Sequence, residues 1–264
     1  MQKAIGVMDS GVGGLTAVKQ IQQMLPNENI VYFGDSLRMP YGNRTYREVV
    51  EYANAIIQFL EEKEVKAIVI ACNTVSSQIE KLQSHTPLFG IVEYGCQEAA
   101  EVAKKEKTIG LIATVATVKS GIYEKTMKKI APDKKIIAND SSRLPKVINS
   151  QMENAILLYM LIKESIDPIY KEDVQTLILG CSHFPIIEKE IKTLYPSLRL
   201  VDPAVRQVKE LKKYLERNHM QNDSDGEKYT HLYTTADMFE YVASIKRLEL
   251  KLNKLEEAKL FLND

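Results

Sequence analysis

Short apolar runs alternate with stretches of helical spacing along almost the whole chain, and no feature limits its fold more. Residues 4–8 form a buried run that stops at the turn Asp9-Ser10-Gly11-Val12-Gly13-Gly14. Residues 15–25 then carry apolar side chains at helical spacing and halt at Pro26. The run at 30–33 ends in a loop, Gly34 to Gly42, too rich in turn formers to be regular. Residues 45–62 place Val49, Ala53, Ile56, Ile57 and Leu60 on one helical stripe and lead to the run at 68–71, which ends in Cys72-Asn73-Thr74. A helix over 76–84, a strand over 88–92 and a helix over 97–104 follow. Parallel strands need crossover connections, and the crossover helices lie on the faces of the sheet. The alternation therefore predicts a parallel sheet covered on both sides.

The pattern restarts at residues 108–114, where Ile109-Gly110 repeats Ile5-Gly6. A helix at 120–130, a strand at 135–138 and a helix at 152–165 precede the run at 176–179, which ends in Gly180-Cys181-Ser182-His183. Ile5 and Ile109 stand 104 residues apart, and Cys72 and Cys181 stand 109 apart. So constant an offset indicates an internal duplication, although two unrelated strands ending in Cys would give the same faint identity. The expectation is two pseudosymmetric α/β domains, each with a mainly parallel sheet flanked by helices. Residues 1–97 with 208–264 form the first, carrying the Asp9/Cys72 half-site. Residues 98–207 form the second, carrying the Cys181/His183 half-site. A strand at 198–201 and a helix at 204–217 lead out of the repeat. Residues 218–228 read as a solvated linker, 229–233 as an edge strand and 237 onward as helix. Ile245, Leu248, Leu252, Leu255 and Leu262 at helical spacing predict an amphipathic tail helix docked on its own domain, with a dimer contact as the alternative.

Lys plus Arg equals Asp plus Glu at 35 each, so no global field recruits nucleic acid or a lipid surface. The N-terminus lacks a signal-like apolar core, and no apolar run approaches the roughly 18 to 20 residues of a membrane span, so a cytoplasmic protein without membrane contact is expected. Three widely spaced cysteines, Cys72, Cys96 and Cys181, argue for reduced thiols and against a disulfide framework.

Ligands of open parallel sheets sit at the carboxyl ends of the strands. There the sequence places Asp9 and Ser10, Pro40-Tyr41-Gly42, Cys72-Asn73-Thr74, Thr114 and Thr117, and Cys181-Ser182-His183. One cleft between two domains could collect them all. Backbone amides at Gly11 to Gly14 and at the helix starts after Thr74, Thr117 and His183 favour a small anion with carboxylate groups. The glycine turn lacks both the dinucleotide fingerprint and a phosphate-loop Lys, so alone it is a tight turn. A single buried Cys is commonly inert, but two at matching strand ends, each beside amide or hydroxyl groups, suggest paired chemistry. Cys181 and His183 could ligate zinc, yet no close-spaced partner completes a tetrahedral set, so no metal is expected. Cys96 reads as structural, and His85, His219 and His231 as surface residues.

Five segments taken together, 9–16, 32–42, 71–76, 113–123 and 180–185, resemble the ordered motif set of the glutamate racemases, within the cofactor-independent aspartate/glutamate racemase family. The resemblance runs from residue 4 to about 245. It implies two domains with the active site between them, no cofactor, a homodimer, and L- and D-glutamate as partners, the product supplying peptidoglycan. It implies that Cys72 takes the α-proton from D-glutamate and Cys181 from L-glutamate, with Asp9 assisting near Cys72 and His183 near Cys181. Ser10, Asn73, Thr74, Thr114, Thr117 and Ser182, with the Pro40-Tyr41-Gly42 backbone, would hold the substrate. A racemase for another amino acid and a binding paralogue without turnover are the alternatives. The chain departs from the family pattern at Ser182, where Thr is usual, and at Val92-Glu93-Tyr94-Gly95, where Val-Ile-Glu-Pro is usual. At Asn149 the family has Glu, and the tail beyond about residue 246 is longer than usual.

Overall fold

The computed structural model describes residues 2–150, 154–222, 228–236 and 238–262. In chain order, β1 (Ile5–Asp9), α1 (Leu15–Met24), β2 (Ile30–Gly34), α2 (Tyr46–Glu62), β3 (Ala67–Ile70), α3 (Asn73–Ser76), β4 (Leu88–Gly90) and α4 (Ile91–Val102) build the first alternation. The next is β5 (Thr108–Ala113), α5 (Val115–Ser120), α6 (Ile122–Ile130), β6 (Lys135–Asp140), α7 (Leu144–Asn149), α8 (Ala155–Tyr170), β7 (Thr176–Gly180), α9 (Glu188–Leu194) and β8 (Arg199–Val201). The chain then returns through α10 (Pro203–Arg217) to β9 (Thr230–Thr234), α11 (Phe239–Leu248) and β10 (Lys254–Glu257).

One sheet has the order β10-β9-β2-β1-β3-β4 and the other β6-β5-β7-β8, and every pairing is parallel. The order β2-β1-β3-β4 is repeated as β6-β5-β7-β8, so β1 corresponds to β5 and the Cys72 strand β3 to the Cys181 strand β7. Two parallel-sheet α/β domains flanked by helices are thus present. Helices α4 and α10 pack together between the sheets, and one apolar cluster runs from Ile5 and Val7 through Ala99 and Val208 to Ile109 and Ile178. Gly95 permits this approach, since a Cβ there would come within 3.0 Å of Pro203. Among the described residues no helix is long and apolar enough to cross a membrane.

Local chemistry explains several boundaries. Thr45 and Glu48 form a reciprocal capping box at the start of α2. Asp202 caps α10 by accepting from the Ala204 amide at 3.0 Å. Pro168 inside α8 cannot donate to the Glu164 carbonyl four residues back; Asn139 Nδ2 donates to it instead at 3.2 Å. At the opposite edge from the strand ends, Lys66 Nζ lies 2.5 Å from Glu28 Oε2, with exposures of 3% and 2%. It also donates to the Met220 carbonyl and to Asn222 Oδ1.

The expected helix over 76–84 is only α3 followed by a single 3-10 turn, Ile79–Lys81, because apolar side chains there are too sparse to form a buried stripe. The strand expected to 92 ends at Gly90; Ile91 and Val92 instead open α4, whose buried stripe continues through Gly95, Cys96 and Ala99. The helix over 120–130 is broken at Gly121, whose φ of 60° turns the chain between α5 and α6. The expected helix over 152–165 starts at Ala155 among the described residues, with 152 and 153 outside them, and continues to Tyr170. The linker is anchored at Met220 and Asn222 by Lys66, and its residues 223–227 lie outside the described residues. The supposed edge strand is internal, between β2 and β10. The tail is not one helix: Glu249, at φ 57°, ends α11, and Leu255 belongs to the true edge strand β10.

Candidate active site

A cleft of about 950 Å³ opens where the carboxyl ends of β1, β2 and β3 face those of β5, β6 and β7. Of the residues expected from sequence, Ser10, Pro40, Tyr41, Gly42, Cys72, Asn73, Thr74, Thr114, Cys181, Ser182 and His183 line it. Asp9 and Thr117 stand behind the wall, exposed by 0% and 1%. Cys96 is buried in α4, with its Sγ 3.6 Å from the Tyr123 carbonyl and away from the cleft.

On the first side, β3 ends at Ile70 and delivers Cys72 to the start of α3. Gln207 of α10 braces this strand end, donating to the carbonyls of Ile70 at 3.0 Å and Phe89 at 2.8 Å. Cys72 Sγ lies 3.6 Å from Ser10 Oγ. Burial, and then the charge of Asp9, push the Cys72 thiol up to about 12. Burial pushes the Asp9 carboxyl up to about 7, against the pull of the nearby Ser182 hydroxyl and the amides of Gly11, Gly14 and Ser10; the Gly11 amide donates to Oδ2 at 3.1 Å, while Oδ1 is buried without a partner among the described residues. Tyr32 pins the glycine turn by donating to the Gly11 carbonyl.

On the second side, β7 ends at Gly180 and Cys181 follows, its Sγ 3.6 Å from His183 Nδ1. Burial raises the Cys181 thiol well above its ordinary value, while the amide of His183 pulls it down. Burial also lowers His183 to about 4, so its imidazole is neutral near pH 7. His183 Nε2 and Asn73 Nδ2 are buried without hydrogen-bond partners among the described residues. Asn73 Oδ1 is occupied, accepting from the Tyr123 hydroxyl at 2.6 Å.

The two sides are stitched together by small groups. Thr16 Oγ1 donates to the Gly13 carbonyl at 2.9 Å and to the Ser182 carbonyl at 3.2 Å. Gly13 approaches so closely that a Cβ on it would stand 2.4 Å from Ser182 Oγ and 2.6 Å from His183 Nδ1. Thr74, Thr114 and Thr117 gather three hydroxyls within 3.2 to 3.5 Å of one another. This hydroxyl cluster, the unused amide of Asn73 and the backbone at 40–42 offer donors to an anionic ligand beside two thiols.

Several lining residues escaped the sequence reading, notably Met39, Asn43, Ser142, Arg143, Lys146 and Glu240. The duplication held the signal for Ser142 and Arg143, since the turn after β6 corresponds to the turn after β2, already marked by its glycine and proline. Asn149 lines the cleft too, with Nδ2 3.6 Å from Met39 Sδ and Oδ1 buried without a partner among the described residues. Among the described residues no group of three or more His, Cys, Asp or Glu side chains is arranged to hold a metal ion.

The chain resembles known proteins in sequence and in fold. Residues 5–211 match the sequence profile of the Asp/Glu/hydantoin racemases. The chain is 41% identical over 221 residues to glutamate racemase 2 of Caldanaerobacter subterraneus subsp. tengcongensis, covering 83% of each protein. It superimposes on a glutamate racemase isoform of Bacillus anthracis with a TM-score of 0.91 at 30% identity, over 99% of both chains. With the Francisella tularensis glutamate racemase, solved with D-glutamate, the TM-score is 0.88 at 31% identity, over 98% of both chains.

Proposed function

Because the chain belongs to the Asp/Glu/hydantoin racemase family, we propose that it interconverts L- and D-glutamate with Cys72 and Cys181 as paired acid and base. The observation that carries this is the delivery of the two thiols into one cleft by corresponding strands of the two sheets. Inverting a stereocentre through a planar carbanion requires proton removal from one face and proton return to the other, so acid and base must come from two directions.

In the D-to-L direction the Cys72 thiolate takes the α-proton, and the electron pair left on carbon delocalises into the adjacent carboxylate. The Cys181 thiol then gives its proton to the opposite face, leaving the thiol and thiolate exchanged. L-to-D turnover runs the same steps backwards. The difficulty is forming a thiolate where burial holds Cys72 near 12. Asp9, poised near 7, is the group beside Cys72 able to accept its proton at neutral pH. A neutral His183 serves Cys181 in the tautomer that leaves Nδ1 free to accept. The substrate ammonium adds a positive charge that offsets the thiolate, and donors at the substrate carboxylate strengthen as charge develops. Thr74, Thr114, Thr117, Asn73, Ser10, Ser182 and the Pro40-Tyr41-Gly42 backbone hold the substrate.

The D-glutamate formed would supply peptidoglycan assembly in the cytoplasm, and the working enzyme would be a homodimer. Incubating the pure protein with L-glutamate, without added cofactor, and following optical rotation tests the activity. Decay of rotation to zero is expected, and a stable rotation would overturn the assignment. A panel of other amino acids separates glutamate from aspartate as the substrate.

A further inference from the structure

The family match stops at residue 211, yet the chain beyond it reaches the loop that borders the cleft. Asp35, exposed by 0%, accepts three hydrogen bonds: Arg38 Nη1 at 2.8 Å, the Tyr41 hydroxyl at 2.6 Å and Thr235 Oγ1 at 2.7 Å. Two of these donors belong to the loop itself, and the third comes from the turn after β9, about two hundred residues away in sequence. The Thr235 hydroxyl also accepts from the Leu37 amide at 3.1 Å, and the Tyr241 hydroxyl of α11 lies 3.0 Å from Ser36 Oγ. Three successive loop residues, Asp35, Ser36 and Leu37, are thus tied to the C-terminal segment. Asp35 then passes the constraint to Tyr41, between Pro40 and Gly42 on the cleft wall.

We propose that Thr235 is a positioning residue for the 35–42 loop and through it sets the affinity for substrate, an inference that rests on the function proposed above. Without the hydroxyl, Asp35 Oδ1 keeps only Arg38 and the Leu37 amide loses its acceptor, so the loop holds to the C-terminal segment chiefly through Ser36 and Tyr241. The loop borders the ligand rather than the proton in flight, so its contacts act equally on ground and transition states. Loosening it should raise KM and leave kcat nearly unchanged.

The test compares Thr235→Val and Thr235→Ser with the wild-type chain in steady-state racemisation of each enantiomer and in calorimetric titration with D-glutamate. Thr235→Val should raise KM and the D-glutamate Kd roughly tenfold, the scale of one lost hydrogen bond to a charged group, with kcat within about twofold. Thr235→Ser should restore both constants. Tyr241→Phe, which releases Ser36 but leaves Asp35 and Leu37 held by Thr235, should shift KM in the same direction by less, and it serves if the valine variant fails to fold. Unchanged KM and Kd in folded variants, or a loss confined to thermal stability, would overturn the inference. A wild-type chain that binds D-glutamate but does not turn it over would sink the proposed function alone, since Kd still reads the loop. A wild-type chain that does not bind it would sink both.

Discussion

Asp9, fully buried at the end of β1, faces Cys72 beyond the end of the neighbouring β3, and its charge makes that thiol harder to ionise. Under the proposed reaction the same carboxyl takes the proton of the thiol. Below about pH 7 it is protonated and cannot do so. Glutamate racemisation should therefore fall as pH drops through 7, and Asp9→Asn should remove this limb of the profile while lowering kcat roughly 100-fold. A pH series of kcat/KM on both proteins checks this, and an identical acid limb in the variant would contradict it.

The raised carboxyl also carries a stability signature. Its folded value, about 7, lies above the ordinary 3.8, so folding favours the protonated form. That contribution is full below the unfolded value and is lost as pH rises through about 7. At about 1.4 kcal/mol per tenfold change in acidity, the loss is on the order of 4 kcal/mol. Asp9→Asn, always neutral, should be more stable than wild type at pH 8 and nearly equal to it at pH 4. Urea unfolding at the two pH values measures the difference.

In the proposed mechanism either thiol alone leaves the reaction half built. Cys72→Ala and Cys181→Ala should each lower racemisation by roughly 10³-fold or more, with the fold retained because each truncation removes only one buried sulfur. Chiral chromatography against a circular-dichroism control reads both. Full activity in either variant would remove the two-thiol mechanism.

Gly13 leaves no room for a side chain between itself and the pair Ser182 and His183. Gly13→Ala should displace His183 from Cys181, cut kcat at least roughly tenfold and cost about 1 to 3 kcal/mol of stability, since the added methyl overpacks a buried contact. Unaltered kcat would show that the wall yields.

Far from the cleft, Lys66→Met would strand the Glu28 carboxylate in the interior, costing on the order of 3 to 5 kcal/mol in denaturant unfolding. Pairing it with Glu28→Leu should recover most of the loss. A double variant no better than the single would point to the Met220 and Asn222 contacts as the larger contribution.

The residues lining the cleft were legible where strand ends break abruptly into polar groups, as at Cys72 and Cys181, because one buried thiol is commonly inert but two at matching strand ends are harder to explain blandly. The two-sheet plan was legible too, since parallel strands buried on both faces read as continuous apolar runs. Contacts made across long sequence separations were hidden. Thr16 reaches the Ser182 carbonyl, and Thr235 reaches Asp35, without either pair leaving a local pattern. The tail misled because Leu248, Leu252 and Leu255 keep helical spacing although Glu249 turns the chain out of α11 and Leu255 joins a sheet edge. Periodicity records which residues are apolar but not which neighbour will bury them.

The repeated strand order has a thermodynamic consequence. Two copies of one chain can be related by rotation but never by reflection, so the two half-sites cannot be mirror images: Cys72 is neighboured by Ser10, and Cys181 by His183. The enantiomers of glutamate, by contrast, have identical free energies in water. Under the proposed reaction the equilibrium constant is one, and kcat/KM must be equal in the two directions however unlike the two thiols are. A substitution on either side therefore lowers both quotients by the same factor, and the asymmetry of the site shows only in how each direction divides that factor between kcat and KM.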